Sequence, residues 1–367
     1  MFIKQQLPHS INKKFNIYFP MKYKATYLTV IFLFVSIISI AQTTISNVKK
    51  TTEIYSIKGS DTLRLDRYEL PSVEKEKPCI VFMFGGGFVA GTRDRKDYIH
   101  FFNHLAEKGY TVASIDYRLG LKKAGIAKAL QDRKDKENGV KPKKSGAKDF
   151  LKLFDSTINM AVEDLYDATN YIITHAAEWK INKNMIIACG SSAGAISVLH
   201  GEYYISNKAD MAKSLPDDFN YAGIISFAGA IFSMNGDLKW KEKPAPMLLF
   251  HGDADMNVPY DKAKVKILGI FPLKYGFWGS KHIAGQMDKM KNPYYFYDVE
   301  NANHVMADSP MKNNWNEIDT FLNKFVEGKQ KLSVNNKVKQ IDKPDVKKNF
   351  GIKDYLKGNN LDGKAKK

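Results

Sequence analysis

The residues with the clearest chemical potential are Gly190-Ser191-Ser192-Ala193-Gly194, a G-x-S-x-G pattern. An apolar stretch typical of a buried strand, residues 185–189, precedes the pattern, and a helical stretch, residues 193–200, follows its serine. In this context the serine lies on a sharp turn from strand to helix, where the glycines allow a crowded backbone. The pattern predicts that Ser192 presents its hydroxyl as a nucleophile at the helix N-terminus.

A serine hydroxyl is a weak nucleophile until a histidine takes its proton and a carboxylate orients that histidine. Two later loops contain these groups. Asp255 lies in the loop after the apolar residues 247–250, and His304 follows the apolar residues 294–299. The order serine, aspartate, histidine is one of the known orders of such a triad. We interpret Asp255 as the carboxylate, with Asp253 on the same loop as the alternative.

A glycine-rich loop, Phe84-Gly85-Gly86-Gly87-Phe88, follows another apolar stretch, residues 79–84. Three successive glycines leave the backbone N–H groups unobstructed by side chains. Such donors can stabilise the oxyanion of a tetrahedral intermediate in acyl transfer. The loop and the serine pattern together therefore predict acyl-transfer chemistry.

Alternating strand and helix patterns position these loops. The predicted strands are residues 52–58, 62–69, 79–84, 111–116, 185–189, 221–228, 247–250 and 294–299. The predicted helices are residues 100–108, 155–177, 193–200 and 309–326. This alternation predicts an α/β fold with a mostly parallel sheet and helices on both faces. Loops after parallel strands meet at one edge of such a sheet, so the chemical groups should meet there.

Two long insertions interrupt the alternation. Residues 121–148 are dense in charge, and residues 267–290 are rich in aromatic residues and glycine. They are either surface elaborations or walls of a pocket at the strand ends. On the second interpretation, Phe88 after the glycine loop and Trp278 in the aromatic insertion are candidate pocket residues, and His282 could join them.

The net charge of +17 is concentrated at the ends of the chain. Residues 1–41 contain five lysines and no acidic residue, and residues 328–367 contain twelve lysines against four aspartates. The intervening residues 42–327 are therefore only weakly basic, so we expect no nucleic-acid partner. We predict that residues 328–367 are a disordered tail.

The N-terminal residues have the order of a secretory signal peptide. Lys22 and Lys24 precede an apolar run of 13 residues, 28–40, and small residues precede a cleavage site after Ala41. The run is shorter than the roughly 20 residues that span a bilayer. We therefore predict a secreted or periplasmic protein, with translation starting at Met1 or Met21. Retention of residues 1–41 as a membrane anchor is the alternative.

Cysteine and metal-ligand patterns exclude several classes of site. The two cysteines, Cys79 and Cys189, are too few for a disulfide scaffold. Cys79 starts its predicted strand and Cys189 ends its own, so on neighbouring parallel strands they would be offset by about five residues. That offset is too large for a disulfide and predicts two buried free thiols. No histidine or carboxylate spacing typical of a metal site is present, so no metal or cofactor is predicted. We interpret the remaining histidines as surface or packing residues: His100, His104, His175, His200 and His251.

From about residue 52 to residue 326, the chain resembles α/β-hydrolase serine esterases of the hormone-sensitive-lipase and feruloyl-esterase-like branch. The resemblance rests on Phe84–Phe88, Asp116-Tyr117-Arg118, the helix pattern at 161–172, Gly190–Gly194, the segment 251–259 and His304. It implies that Ser192 is the nucleophile, His304 the general base and Asp255 the orienting acid. It also implies an oxyanion hole made of the N–H groups of Gly86, Gly87 and Ala193. This branch has a histidine before the three glycines, and this chain has Phe84 there.

The sequence thus predicts an enzyme that hydrolyses carboxylic esters through an acyl-enzyme, with short or aromatic acyl groups. By analogy with the branch, the substrate is a small molecule or a polysaccharide-linked ester. A serine-peptidase-like hydrolase and a non-enzymatic basic surface-binding protein are the alternatives. A membrane partner is expected only if the N-terminal segment is retained, and no oligomeric state is predicted.

Overall fold

The computed structural model describes residues 47–71, 75–139, 141, 147–264, 275–339 and 348. The predicted signal segment 1–41, part of the aromatic insertion (267–274) and most of the tail beyond residue 339 lie outside the described residues. Their predictions stay predictions. Within the described ranges, no helix is both long and apolar enough to cross a membrane.

Twelve strands occur among the described residues. They are β1 (Lys49–Lys58), β2 (Asp61–Glu69), β3 (Lys77–Met83), β4 (Thr111–Ile115), β5 (Ile181–Ser191), β6 (Gly223–Phe227), β7 (Ala230–Ser233), β8 (Met247–Gly252), β9 (Lys262–Lys264), β10 (Gly276–Gly279), β11 (Tyr294–Glu300) and β12 (Ser333–Lys339). Every strand predicted from the sequence is present, with its ends shifted by a few residues.

Eight α-helical segments occur in the same ranges. They are α1 (Lys96–Glu107), α2 (Gly120–Glu137), α3 (Ala147–Thr174), α4 (Ala176–Trp179), α5 (Ala193–Ser206), α6 (Ser280–Lys289), α7 (Pro310–Asn313) and α8 (Trp315–Phe321). Short 3₁₀ turns at Asp210–Ser214 and His304–Ala307 and a π-helical turn at Leu322–Glu327 complete the described helices.

Nine strands form the central sheet, in the order β1-β2-β4-β3-β5-β6-β8-β11-β12. β2 pairs antiparallel with both β1 and β4, whereas all other neighbours in this sheet are parallel. The residues of β4 and β6 are all buried, as expected of parallel strands covered by helices. The predicted mostly parallel sheet is therefore confirmed. A second, antiparallel sheet of three short strands has the order β7-β10-β9.

The helices form two groups that pack beside the sheet. In the first group, α1 contacts α8, where the His104 ring stacks on Trp315 with ring centroids 4.1 Å apart. In the second group, α3 contacts α5, where the Tyr166 hydroxyl donates a 2.7 Å hydrogen bond to the carbonyl of Gly201. Aromatic side chains of α1 pack on Phe82 of β3, which joins the first group to the centre of the sheet.

Two of the predicted helices have different limits in the structure. α3 begins at Ala147 instead of residue 155, because part of the charged insertion continues its helical pattern. The predicted helix 309–326 is divided into α7, α8 and the π-helical turn, with a break at Asn314. The rest of the charged insertion is mostly the exposed helix α2.

The prediction that the tail is disordered from residue 328 onward is wrong for residues 333–339. These residues form β12, which pairs in parallel with the whole length of β11, from Tyr294 opposite Ser333 to Glu300 opposite Lys339. Only alternate residues of β12 are partly buried, so the strand lies at the sheet edge with a polar sequence. An edge strand of this kind lacks the apolar run that marks a buried strand.

The two cysteines are free and buried, as predicted. Cys79 pairs with Ile186, and Cys189 pairs with Phe82, so the two residues are offset by three positions on neighbouring strands. The expected offset was five positions. Burial raises the pKa of the Cys79 thiol to about 12 and that of the Cys189 thiol well above its usual value. Both thiols are therefore protonated and unreactive.

A buried carboxyl group lies inside α5. Glu202 is 1% exposed, and its Oε1 accepts hydrogen bonds from the Ser206 hydroxyl (2.9 Å) and the Ala245 N–H (2.8 Å). Within the described part of the chain, Oε2 has no hydrogen-bond partner. Burial raises the pKa of Glu202 to about 7, although the two hydrogen bonds act in the opposite direction. Because the folded chain holds this proton more tightly than the unfolded chain, stability falls as the pH rises from about 4.5 to 7.

Glu202→Gln should remove this part of the pH dependence, because the amide keeps the accepting oxygen and cannot ionise. Relative to the wild type, the unfolding free energy of the variant should rise by about 2 to 3 kcal/mol between about pH 5 and about pH 8. Urea unfolding at the two pH values measures this difference. Glu178→Gln, at an exposed glutamate, is the control and should show the wild-type dependence. An E202Q curve parallel to that of the wild type would contradict the assignment.

Candidate active site

Ser192 lies at the junction of β5 and α5 in a strained backbone conformation, with φ 50° and ψ −113°. Two glycines make the turn possible. A Cβ on Gly194 would lie 2.1 Å from the carbonyl oxygen of Met83, and one on Gly190 would lie 2.4 Å from the carbonyl of Gly194. The sequence pattern G-x-S-x-G thus corresponds to a real turn in which β3 and α5 touch.

The Ser192 hydroxyl contacts His304, which lies on the turn after β11. Its Oγ is 2.8 Å from His304 Nε2. The side chain of Asn303 accepts a 3.0 Å hydrogen bond from the N–H of Val305 and so caps this turn. The structure therefore brings together two residues that are 112 positions apart in the chain.

Asp255 lies on the other side of the His304 ring, with its Oδ2 2.7 Å from Nδ1. Because a carboxylate only accepts, Nδ1 carries the proton and Nε2 is left to accept the proton of the serine hydroxyl. The Oδ1 atom of Asp255 accepts from the N–H groups of Asn257 (2.8 Å) and Val258 (3.0 Å). These bonds hold the carboxylate in place beside the His304 ring.

The charge of Asp255 is stabilised despite its burial. The side chain is 2% exposed, and burial alone would raise its pKa. The neighbouring His304 and His251 outweigh burial, and they hold the pKa of Asp255 well below its usual range. His251 is itself fully buried, with Nε2 3.3 Å from the Asp255 carboxylate. Asp255 is therefore ionised at neutral pH, where it faces the His304 ring.

Asp253, the alternative acid, is directed to other partners. Its Oδ1 accepts a 2.7 Å hydrogen bond from the N–H of Asn301, and its Oδ2 forms a 2.8 Å ion pair with Lys348. The carboxylate that contacts His304 belongs to Asp255. Asp253 instead ties the loop after β8 to the end of β11.

The glycine loop lies beside Ser192 at the end of β3. Gly86 has φ +140° and Gly87 φ +62°, and a Cβ on Gly86 would lie 2.0 Å from the carbonyl oxygen of Ala90. Among the described residues, the N–H groups of Gly86, Gly87 and Ala193 donate no backbone hydrogen bond. Ala193 directly follows the serine at the first turn of α5. The three predicted donors are thus free to bind a ligand.

A cavity of about 420 Å³ opens beside Ser192. Its walls are formed by Gly85, Gly86, Gly87, Val89, Ala90, Gly91, Arg95, Ser191, Ser192, Asn257, His304, Ala307 and Asp308. The residues around the serine have small side chains, and those at the rim of the cavity have polar side chains. Arg95 and Asp308 form an ion pair there, with an N–O distance of 2.5 Å.

The prediction that Phe88 and Trp278 line the pocket is wrong for this cavity. Each is 1% exposed. Phe88 packs against Phe154, which also contacts Phe277, the neighbour of Trp278 on β10. This aromatic cluster fills the space between α3 and the small sheet, so its members belong to the core.

Several residues at the site were not singled out by the sequence. Arg95 and Asp308 occupy the rim of the cavity without any motif, and only the structure reveals them. Tyr98 lies behind the glycine loop and likewise belongs to no motif. The Tyr117 hydroxyl also contacts this loop. Its place in Asp116-Tyr117-Arg118, one of the segments on which the family resemblance rests, was the only sequence feature that pointed to it. His282 is half-buried on α6 and is not among the residues of the cavity wall.

The arrangement can transfer a proton from Ser192 to His304 beside a cavity whose wall includes Gly86 and Gly87. This is the arrangement required for nucleophilic attack on an acyl carbon. The described ranges contain no group of three or more histidine, cysteine, aspartate or glutamate side chains suited to a metal ion.

Comparisons with known proteins define the class of fold. A model of the BD-FAE family matches residues 65–137, which include the glycine loop. Esterase 2 of Thermogutta terrifontis phosphoramylated by tabun is 17% identical, with a TM-score of 0.50 over 78% of this chain and 97% of that chain. The same esterase phosphorylated by paraoxon is 17% identical, with a TM-score of 0.50 over 78% and 96%. No curated protein matches the chain.

These similarities confirm that the chain has the α/β-hydrolase fold predicted from its sequence. The BD-FAE match agrees with the resemblance to feruloyl-esterase-like proteins. In this fold the strand-to-helix turn after β5 and the loops after β3, β8 and β11 gather at one end of the sheet.

Asp255→Asn should lower kcat by roughly a thousand-fold or more, because an amide cannot hold the His304 proton on Nδ1 in the same way. Asp253→Asn is the matched variant, two residues away, and should retain most of the activity. Hydrolysis of p-nitrophenyl acetate measures both. A larger loss in D253N than in D255N would reassign the carboxylate.

Proposed function

We propose that the protein is a serine hydrolase that cleaves carboxylic esters. The observation that carries the proposal is the continuous hydrogen-bonded series from Ser192 through His304 to Asp255, with distances of 2.8 and 2.7 Å. The series ends at a cavity whose wall includes the glycine loop. The BD-FAE match over the loop region supports the same function.

In the first half of the reaction, Ser192 Oγ attacks the acyl carbon and its proton passes to His304 Nε2. The resulting imidazolium is stabilised by the ionised Asp255 at 2.7 Å. The carbonyl oxygen becomes an oxyanion beside the glycine loop, where the N–H groups of Gly86, Gly87 and Ala193 donate to it. Each such donor contributes about 3 kcal/mol to the stability of the transition state in comparable enzymes.

In the second half, the His304 imidazolium gives its proton to the departing alcohol and the acyl-enzyme remains. A water molecule then takes the place of the alcohol, and His304 removes its proton as it attacks the acyl carbon. When the second oxyanion intermediate collapses, the bond between the acyl carbon and Ser192 Oγ breaks, His304 gives its proton to Oγ, and the carboxylic acid leaves. The cycle uses only groups of this chain and water.

The walls of the cavity favour a short acyl group and a polar alcohol. Near the serine the walls are formed by glycines, Val89 and Ala90, which leave little apolar surface for a long chain. Within the described ranges, the cavity wall contains no phenylalanine, tyrosine or tryptophan, which favours a short acyl group over an aromatic one. Arg95, Asp308 and Asn257 offer hydrogen bonds to a hydroxylated alcohol such as a sugar unit.

Reaction with an organophosphate provides a direct test of the nucleophile. The esterase of Thermogutta terrifontis occurs in a form phosphorylated by paraoxon. Paraoxon should likewise phosphorylate Ser192 here, with loss of esterase activity, because a serine activated by histidine attacks phosphorus as it attacks an acyl carbon. Mass spectrometry should find one diethylphosphoryl group on the peptide that contains Ser192.

Ser192→Ala should lose both the phosphorylation and the hydrolysis of p-nitrophenyl acetate. Ser197→Ala is the control, because it removes another buried hydroxyl of α5, one that bonds to the carbonyl of Ala193 at 2.9 Å. It should retain both reactions. Hydrolysis that persists in S192A would refute the proposal, and a biological function that survives this substitution would favour the non-enzymatic alternative.

Acyl-chain preference tests the shape of the cavity. We expect kcat/KM to be higher for p-nitrophenyl acetate and butyrate than for the palmitate by about ten-fold or more. Val89→Phe should lower the butyrate-to-acetate ratio, since Val89 lines the cavity. Trp278→Phe, a substitution in the buried core outside the cavity wall, should leave the ratio unchanged. Equal ratios in V89F and the wild type would place the acyl group elsewhere.

A further inference from the structure

A single peptide unit at the start of the glycine loop is held by two tyrosines. The carbonyl of Phe84 accepts a 2.8 Å hydrogen bond from the Tyr117 hydroxyl. The N–H of Gly85, which belongs to the same peptide unit, donates a 3.2 Å hydrogen bond to the Tyr98 hydroxyl. Both polar groups of this unit are therefore bound by side chains that are nearly or fully buried.

The Tyr98 ring has a fixed position. It is 0% exposed, and its centroid lies 4.9 Å from that of Phe82 on β3. The guanidinium carbon of Arg95 lies 3.9 Å from the ring centroid on the side of the cavity wall. Packing thus determines where the Tyr98 hydroxyl lies, and this hydroxyl in turn determines where the Gly85 N–H can point.

The peptide unit that Tyr98 binds also packs against the rest of the site. A Cβ on Gly85 would lie 3.0 Å from the Oγ of Ser191, the residue that precedes the nucleophile. The Ser191 hydroxyl donates a 2.8 Å hydrogen bond to the carbonyl of Ala307. The glycine loop therefore contacts the residue that connects the strand-to-helix turn to the turn that begins with His304.

A loop of three glycines needs such a support. Glycine rotates through conformations that are closed to other residues, and it has no side chain that could anchor the loop. Rotation of the 84–85 peptide would move the N–H groups of Gly86 and Gly87, and a displacement of about 1 Å can cost a hundred-fold in rate.

We propose that Tyr98 is a positioning residue, whose hydroxyl fixes the glycine loop in the orientation that binds the oxyanion. This proposal rests on the proposed esterase function. Tyr98 touches neither the substrate nor the reacting atoms; it acts through the backbone of Gly85. No sequence motif includes it, and its assignment comes from the contacts of its hydroxyl.

Tyr98→Phe removes the hydroxyl and keeps the ring. We expect kcat for p-nitrophenyl acetate to fall roughly ten-fold, with KM little changed, because the loop donors act mainly in the transition state. The sharper measurement is the ratio of kcat/KM for this ester to that for its thionoester, in which sulfur replaces the carbonyl oxygen. Sulfur accepts hydrogen bonds poorly, so the ratio should fall in Y98F when the donors are displaced.

Tyr166→Phe is the matched control. Tyr166 is equally buried, and its hydroxyl donates to the carbonyl of Gly201 at 2.7 Å, in a part of α5 remote from the glycine loop. Thermal unfolding should show a similar loss of stability in both variants, while Y166F keeps the wild-type ester-to-thionoester ratio. A Y98F ratio equal to that of Y166F would reduce Tyr98 to a structural hydrogen bond and overturn the proposal.

Amide hydrogen exchange supplies a readout that needs no turnover. Exchange in a peptide spanning residues 84–91 should be faster in Y98F than in the wild type and in Y166F. If Y98F does not fold, Tyr117→Phe removes the other bond to the same peptide and should have the same effects. Unchanged exchange would overturn the proposal. A wild type without Ser192-dependent ester hydrolysis would instead refute the proposed function, and the exchange result would still decide whether Tyr98 holds the loop.

Discussion

The close contact between α5 and the end of β3 is the constraint on which the rest of the site depends. The Cα of Gly194 lies so near the carbonyl oxygen of Met83 that no side chain fits there. This contact allows the chain to turn from β5 into α5 with Ser192 at φ 50°. It also places the glycine loop, which continues β3, directly beside the serine. One backbone contact thus determines the distance between the nucleophile and the N–H donors.

The remaining groups reach this point through neighbouring parallel strands. β8 and β11 pair with each other, and the loops after them contribute Asp255 and His304. Asp253 and the Asn301 N–H join the two loops, while the Ser191 hydroxyl joins the His304 turn to β5. The site is therefore held by bonds between loops as well as by the sheet. The two short hydrogen bonds from Ser192 to His304 and from His304 to Asp255 require that the loops be positioned this accurately.

The sequence predicted the parts that depend on local pattern. The turn at Ser192, the glycine loop and the buried strands have characteristic compositions, so their positions follow from the chain alone. Whether Phe88 and Trp278 line the pocket or lie in the core depends on which surfaces meet in three dimensions. In the structure, both are buried in the core beside the aromatic cluster with Phe154. β12 was missed because a polar edge strand shows no apolar run. Tyr98 was missed because its role arises from contacts 13 residues away in the chain.

The two edges of the central sheet have a consequence for how copies of the molecule meet. Among the described residues, β1 and β12 are the outermost strands of this sheet, and a strand edge that stays unpaired can pair with another chain. Exposed lysines mark both edges, Lys49 and Lys50 on β1 and Lys337 and Lys339 on β12. Two sheets that approached edge to edge would bring like charges together before any backbone bond could form. The lysines at both edges therefore disfavour edge-to-edge pairing between two copies of the chain.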